Sequence, residues 1–380
     1  MSQAQSPRRA RTWRTWVSRR YDLAWALLLV GTPYGIIAGG RPLNAVVGLA
    51  GLLALAPVKW WRVSLPTGLG LASVAFLAWV AVSLIWSPYD QARLLPAVFG
   101  LPVAAASLTV VAMRLRDGRR RLWREALRFS VLMSGVWLLI QALGALAFVT
   151  PWYNGSVTEA AALSSRLMGH ASSAFLVLMW PIWAMSARND ADGWLVIGGL
   201  AVCAVAAAVA FDQSANAVAL TVGASVYASA RAAPRWTWRV LIVMIVALIV
   251  SAPWLFGPGL DDLRAFTAEG PIPTSWRQRL AMWDHVSGLI AQKPFFGWGL
   301  DASRTFEDTM VVDGVRSRAV LLHPHNAGLH LWLETGLLGV LAATLVIILL
   351  AARVDRTARP GQLAGACAAA AAGWTQYAVC

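Results

Sequence analysis

Three of the five histidines in this 380-residue sequence lie close together, at the start of a long apolar run. His323 and His325 flank a proline and are followed by Asn326, while His330 and Glu334 lie further along, four residues apart. Histidine titrates near neutral pH and can therefore accept or donate a proton during a reaction. An ionisable pair inside an apolar run is costly, so His330 and Glu334 are functional candidates.

These residues are best positioned by a helix that begins near Pro324. Proline is tolerated in a first helical turn, where its missing N–H would have no partner. Such a helix would present its N-terminus, with partial positive charge and free N–H groups, as a site for an anion. Glu334 would lie about 13 Å deeper than His325 and on the opposite helix face. We therefore expect Glu334 to contact His330 and to have a structural role, hydrogen-bonding neighbouring spans.

The composition around these residues is that of a membrane protein. Hydrophobic residues make up 58% of the chain and charged residues 13%, with a mean hydropathy of +0.59, whereas about a quarter of a soluble domain is charged. Apolar runs recur at close to the roughly 20 residues that a transmembrane helix needs. We expect an all-α integral membrane protein with about eleven spans. They lie near 22–40, 42–57, 66–86, 94–113, 129–149, 172–187, 194–211, 214–230, 239–257, 326–351 and 361–380.

The distribution of charge orients these spans. The net charge of +14 does not indicate a nucleic-acid partner, because the basic residues lie between apolar runs rather than on one soluble face. With a cytoplasmic N-terminus, about two thirds of the 32 basic residues fall in inner segments, as the positive-inside rule requires. We therefore expect a multi-pass protein whose two long loops face outward.

The outer segments predicted at 150–171 and 258–324 are longer than turns. Apolar residues recur at near-helical spacing in the second, at Trp276, Leu280, Trp283, Val286 and Ile290. This pattern predicts an amphipathic helix lying on the membrane surface, within a loop that caps the bundle. The expected divisions are 1–257 with nine spans, the loop 258–324, and 325–380 with the last spans.

The cysteines indicate neither a disulfide framework nor a zinc site. Cys203, Cys367 and Cys380 lie in apolar stretches without CxxC or other metal-ligand spacing. We also find no pair of interrupted spans in matching halves of the chain, as a secondary transporter would show.

Four segments of the second half carry a family pattern. They are Ser275-Trp-Arg-Gln-Arg-Leu-Ala-Met-Trp283, Lys293-Pro-Phe-Phe-Gly-Trp-Gly299, His323-Pro-His-Asn326 and Glu334-Thr-Gly-Leu-Leu-Gly339. Their order and spacing resemble the signature of the O-antigen ligase family, bacterial membrane glycosyltransferases that include O-antigen polymerases. The family's earlier Arg-Leu-x-Gly element resembles Arg166-Leu-Met-Gly169. The glycines at 297, 299, 336 and 339 would allow close backbone approach or ordinary packing.

The resemblance implies a metal-independent glycosyltransferase without a cofactor, in the bacterial inner membrane. It would move a glycan from undecaprenyl diphosphate to a sugar hydroxyl on the periplasmic face. The acceptor is lipid A core for a ligase and a second lipid-linked glycan for an O-antigen or exopolysaccharide polymerase, and the residues leave this choice open. Direct attack by the hydroxyl implies inversion. Family members typically have a twelfth span, which would lie beyond Cys380.

Arginines would stabilise the departing diphosphate, because their planar guanidinium groups bind phosphate oxygens bidentately and stay charged. Arg166 and Arg279 are the leading candidates, and Arg277 and Arg304 are further ones. Each could instead be a solvated loop arginine or a lipid-headgroup contact. Trp283 follows Arg279 by four residues, so we expect its ring to stack on that guanidinium.

At the start of the long apolar run we assign His325 as general base, with His323 in support and Asn326 as a diphosphate ligand. The alternative is that His325 only caps the helix or orients the diphosphate. His323 and His325 could also be a metal pair with His170 as third ligand, although the acidic residues that metal-dependent oligosaccharyltransferases keep in the first outer loop are absent here.

Two other functions compete with glycan transfer. A transporter for a lipid-linked sugar also needs many spans and basic groups, but its ionisable residues would lie within the spans. A scaffold subunit of a polysaccharide machine would need none of the site residues.

Overall fold

The computed structural model describes residue 20 and residues 22–32, 42–54, 67–90, 117–143, 157–186, 191–210, 214–268, 274–320 and 322–379. Cys380 and the span expected near 94–113 lie outside these residues.

The described residues are mostly helical. The helices are α1 (Asp22–Thr32), α2 (Pro42–Ala54), α3 (Thr67–Ser83), α4 (Asp117–Leu143), α5 (Val157–Ser186), α6 (Ala191–Ala210), α7 (Ser214–Ala232), α8 (Pro234–Phe256), α9 (Asp261–Ala268), α10 (Thr274–Gln292), α11 (Ala327–Thr357) and α12 (Pro360–Val379). Two single 3₁₀ turns cover Pro258–Leu260 and Ala302–Arg304, and a hairpin joins β1 (Thr309–Val312) to β2 (Val315–Arg318).

The hairpin is a departure from the all-α expectation. Thr309 faces Arg318 and Val312 faces Val315 across the antiparallel pair. The two residues between the strands, Asp313 and Gly314, both have positive φ angles, 54° and 76°. An Asp-Gly pair of this geometry forms the two-residue turn that best matches the twist of a hairpin.

The chain forms two compact units, Met1–Val63 with Phe99–Ala224, and Ser64–Val98 with Ser225–Cys380. In the first unit, α5 packs against α4 and α6. Gly135 of α4 allows this close approach, because a Cβ there would lie 2.8 Å from the Phe175 ring. Asn216 of α7 is fully buried, where its amide donates to Ser172 Oγ (2.6 Å) and accepts from Ser173 Oγ (2.8 Å).

In the second unit, α11 is the central helix and packs against α3, α8 and α10. Apolar residues of α11 such as Leu329, Leu333 and Val340 are completely buried. α8 runs antiparallel to α11: Trp332 Nε1 donates to Ile249 O (2.8 Å), and Trp238 Nε1 donates to Ala351 O (3.0 Å). The candidate site lies at the head of α11.

Among the described residues, four helices are long and apolar enough to cross a membrane: Glu125–Leu143, Met168–Ser186, Pro234–Phe256 and Ala327–Arg356. Shorter apolar helices cover Asp22–Thr32, Gly68–Ser83 and Leu195–Val209. The expectation of a mostly helical chain with apolar helices long enough to span a membrane is therefore confirmed, whereas the count of about eleven spans is not confirmed. The division into 1–257, 258–324 and 325–380 stays a prediction.

The amphipathic helix predicted within 258–324 is present as α10, but its apolar face does not rest on a membrane. Leu280, Trp283, Val286 and Ile290 are buried in a core cluster with residues of α8 and α11. The prediction of a surface helix was therefore wrong, because periodicity reveals an apolar face but not what covers it.

Candidate active site

The helix α11 begins later than the proline suggested. Asn326 is the N-cap residue, with extended backbone angles, and its Oδ1 accepts a hydrogen bond from Leu329 N–H at 3.1 Å. Such a cap provides an acceptor for one of the N–H groups that have no hydrogen-bond partner at the start of a helix. Pro324 therefore precedes the helix instead of forming its first turn. The carbonyl end of the Asn326 amide is occupied by this bond, and the residue is 2% exposed.

The turn before this cap holds two histidines against each other. His325 has φ +49°, in the left-handed region that non-glycine residues rarely adopt. Its backbone N–H points to His323 Nδ1 at 3.4 Å, and the two ring centroids are 4.4 Å apart. Burial, the neighbouring His330 and the charge of Arg304 lower the pKa of His323. His323 is thus kept neutral, with Nδ1 available as an acceptor.

Trp283 fastens this turn to α10. Its indole N–H donates to Pro324 O at 2.8 Å, and its ring packs edge-to-face against Phe256 with centroids 5.1 Å apart. The structure differs here from the expected stacking on Arg279, whose guanidinium carbon lies 5.5 Å from the centroid of Trp276. Arg279 is one helical turn from Trp283, so it lies on the helix that touches the histidine turn.

Glu334 forms the predicted contact with His330. Glu334 Oε1 lies 2.9 Å from His330 Nε2, and the carboxylate is 5% exposed. The same oxygen accepts a hydrogen bond from Ser303 Oγ, also at 2.9 Å. Its further partner is thus a residue of the 3₁₀ turn Ala302–Arg304, not a neighbouring span as expected. His330 also stacks on His323 with centroids 6.1 Å apart.

α11 is interrupted two residues after Glu334. Gly336 has φ +62° and ψ −168°, which no helix contains. The break leaves backbone groups of α11 without their helical hydrogen-bond partners. The segment 294–299 supplies replacement partners. Trp298 N–H donates to Leu333 O (2.8 Å) and Gly299 N–H to Glu334 O (2.9 Å), while Pro294 O accepts from Leu337 N–H (2.8 Å). Irregular backbone at membrane depth is tolerated where protein covers it in this way.

Glycine is required at the three closest points of this contact. Gly297, Gly299 and Gly336 all have positive φ. A Cβ on Gly297 would lie 2.6 Å from the Glu334 carbonyl carbon, and one on Gly299 would lie 2.6 Å from Ser87 Cα. A Cβ on Gly336 would overlap the Phe295 carbonyl oxygen. The close-approach interpretation of these glycines is thus confirmed.

α3 and the residues that follow it bind backbone carbonyls beside this contact, one in α11 and one just after the segment 294–299. Trp79 Nε1 donates to Thr335 O at 2.8 Å, and Ser87 Oγ donates to Leu300 O at 2.6 Å. Neither residue could be singled out from the sequence, because a tryptophan or serine in an apolar run has many common roles. Their partners lie more than 200 positions away.

The remaining arginine candidates are placed differently. Arg277 forms a two-point ion pair with Asp313, at 3.0 and 2.7 Å, which ties α10 to the hairpin turn and lowers the pKa of Asp313. Arg304 pairs with Asp301 at 2.8 Å, and this hydrogen bond raises the pKa of its guanidinium. Arg304 therefore brings a fixed positive charge to the histidines. Arg166 lies on α5 rather than in a loop, and its side chain is outside the described residues.

Comparison with known proteins gives a family match for the segment that contains this site. Residues 199–344 match the family described as O-antigen ligase. The part of the chain that contains the site is therefore similar to the O-antigen ligase family. The resemblance inferred from the four sequence segments is therefore confirmed, since all four lie inside the match. Arg166 lies outside it.

Two relatives from Rickettsia carry a related name. A "Putative polysaccharide ligase" of Rickettsia conorii is 36% identical over 67 residues, which are 17% of this chain and 16% of the relative. A protein of the same description from Rickettsia typhi is 25% identical over 133 residues, 34% of this chain and 33% of the relative. The matches thus span a third or less of either relative. No solved structure matches the chain.

Proposed function

We propose that this chain is a membrane glycosyltransferase that joins a lipid-linked glycan to a sugar hydroxyl. The observation that carries the proposal is the turn at the head of α11. It holds His325 in a left-handed conformation and is fastened by Trp283 to the helix that bears Arg279. The O-antigen ligase match over residues 199–344 and the names of the Rickettsia relatives support the same reaction type.

In this proposal His325 is the general base. Its imidazole accepts the proton of the acceptor hydroxyl, whose oxygen attacks the anomeric carbon of the donor sugar. A new glycosidic bond forms as the bond between that carbon and the diphosphate oxygen breaks. The lipid diphosphate leaves with the electron pair, and the anomeric configuration inverts because the protein supplies no covalent nucleophile.

Arginines stabilise the negative charge that develops on the departing diphosphate. Arg279 serves this role from α10, with Arg166 as the second candidate that the sequence pattern offers, while Arg304 adds positive charge beside His323. Arg277 is engaged with Asp313, so its contribution is to hold α10 to the hairpin. Asn326 keeps α11 capped, and its Nδ2 group remains for a phosphate oxygen.

The donor in this proposal is undecaprenyl diphosphate carrying a glycan, and the acceptor is lipid A core. The reaction takes place on the periplasmic face of the inner membrane, without a metal. An O-antigen or exopolysaccharide polymerase differs only in using a second lipid-linked glycan as acceptor. The same His325 and arginines would serve both reactions.

The test uses the purified full chain in liposomes with a lipid-linked glycan and lipid A core. We expect a new glycosidic bond in the wild type and its loss in His325→Ala and Arg279→Ala. His285→Ala and Arg318→Ala are matched controls, since these residues pair with Asp308 and Glu307 and have no proposed role. Full activity of both site variants would refute the mechanism.

Two further readouts separate the alternatives. Replacing lipid A core with a second lipid-linked glycan identifies a polymerase if only that acceptor is extended. Movement of labelled donor across the bilayer without a new bond would identify a transporter and contradict the proposal.

A further inference from the structure

The backbone of His325 is held in a conformation that a histidine does not adopt unaided. Its φ of +49° is stable only if the surroundings impose it. Trp283 holds the turn from the side of α10, at Pro324 O, and Asn326 holds its far end through the cap. The backbone on the remaining side of the turn, at Leu322 and His323, also needs a hydrogen-bond partner that holds it in place.

Ser303 provides that partner. Its hydroxyl lies 2.9 Å from Leu322 O and 2.9 Å from Glu334 Oε1, and the residue is completely buried. One hydroxyl proton therefore lies between a carbonyl of the histidine turn and a carboxylate of α11. Ser303 is presented there by the 3₁₀ turn Ala302–Arg304, which starts at Asp301 in a left-handed conformation.

Glu334 connects this backbone contact to the rings. The oxygen that accepts from Ser303 also binds His330 Nε2, and the His330 ring stacks on His323. His323 in turn receives the backbone N–H of His325 on its Nδ1. The carboxylate thus acts on the turn by two routes, through Ser303 to the backbone and through His330 to the imidazole of His323.

We propose that Ser303, Glu334 and His330 form a positioning network that sets the conformation of the His323–Asn326 turn and thereby the direction of the His325 imidazole. Ser303 is a positioning residue that touches no substrate. This inference rests on the proposed function, since the aim of the imidazole matters only if His325 accepts a proton.

A loss of the network should affect the chemical step more than substrate binding. In Ser303→Ala, Leu322 O and Glu334 Oε1 lose the one buried hydroxyl proton that they share, and the turn can relax. The proposed diphosphate ligand Arg279, on α10, is untouched. We therefore expect kcat to fall by about tenfold or more while the KM for the lipid-linked glycan changes by less than about twofold.

Two further variants keep the inference testable if Ser303→Ala folds poorly. Ser303→Thr retains the hydroxyl and should recover most of the lost kcat. Glu334→Gln retains an acceptor for Ser303 and should keep more activity than Glu334→Ala. Ser251→Ala is the control, because the Ser251 hydroxyl donates to Ala247 O within its own helix rather than to the turn.

The experiment combines kinetics with histidine ¹⁵N NMR of the full chain in lipid nanodiscs. Reduced kcat in Ser303→Ala, recovery in Ser303→Thr and shifted His323 and His325 ring signals support the network. Wild-type kcat in Ser303→Ala overturns it. If the wild type forms no glycosidic bond, the proposed function fails. The NMR signals then test the positioning network separately. Unchanged ring signals in Ser303→Ala overturn the network, and shifted signals support it.

Discussion

Tryptophan side chains of the second unit repeatedly donate their indole N–H to backbone carbonyls of another segment. The pairs are Trp79 with Thr335, Trp238 with Ala351, Trp283 with Pro324, Trp298 with Leu289 and Trp332 with Ile249. An indole combines a large apolar ring with one donor, so it can pack inside an apolar core and still satisfy a carbonyl there. At the residue scale, these donors rather than ion pairs fix the backbone around the site.

The bond from Trp283 to Pro324 O can be tested by Trp283→Phe. We expect a loss of stability of about 1 kcal/mol, because a buried carbonyl loses its donor, and a larger loss of glycan transfer, because the His325 turn is released from α10. Trp238→Phe removes the same kind of bond at the far end of α11 and should lower stability similarly while leaving transfer intact. Thermal unfolding and transfer assays of both variants check this, and equal activity losses would contradict it.

At the element scale, the sequence predicts the helices well and the interruption of α11 poorly. Apolar runs locate helices such as α8 and α11 because each run must bury its backbone polar groups within itself. Periodicity likewise predicted α10. The break at Gly336 was not predictable, since a glycine in an apolar run is more often a packing residue. Its cause is the segment 294–299, which precedes it by about forty positions and supplies the replacement hydrogen bonds.

The residues of the candidate site likewise divide into those that the sequence reveals and those that it does not. Its histidines could be recognised because ionisable residues inside an apolar run are costly, and Arg279 because it lies in the family segment Ser275–Trp283. Ser303 and Trp79 could not, because common residue types become informative only when folding brings their partners close. The burial of the Trp283 face was missed because an amphipathic pattern fits a lipid surface and a protein core equally well.

Gly336→Ala tests the interruption. The backbone angles at this position are accessible almost only to glycine, which costs an alanine about 1–3 kcal/mol, and the new Cβ would overlap the Phe295 carbonyl. We expect severe destabilisation and loss of the contact with 294–299. Gly288→Ala in α10 is the matched control: no atom lies within 4 Å of the added Cβ, so helix propensity should leave stability unchanged or increased by about 0.5–1 kcal/mol. Melting temperatures of the two variants decide, and a tolerated Gly336→Ala would show that the break is not required.

At the scale of the whole molecule, the second unit has chemically different ends. The histidine turn lies at the head of α11, whereas Arg239 pairs with Asp355 at the opposite end, at 2.9 Å, beside Arg353, Arg356 and Arg359. The candidate span of α11, Ala327–Arg356, has 30 residues, which corresponds to at most about 45 Å, since Gly336 interrupts the helix. This length exceeds the roughly 30 Å of a bilayer's hydrocarbon core. We therefore propose that the two ends lie on opposite sides of a membrane, with the arginine end inside, as the positive-inside rule predicts.

Single cysteines can test this orientation in a chain whose native Cys203, Cys367 and Cys380 are changed to serine. Val315→Cys places a thiol on the hairpin, where the native side chain is 54% exposed, and Arg359→Cys places one on the exposed connection between α11 and α12. With intact spheroplasts, we expect a membrane-impermeant maleimide to label the hairpin thiol at once and the connection thiol only after lysis, because α11 separates them by the thickness of a bilayer. The reverse pattern would place His325 on the cytoplasmic side. A glycan transfer on the outer face would then be excluded, whatever the activity of the isolated protein.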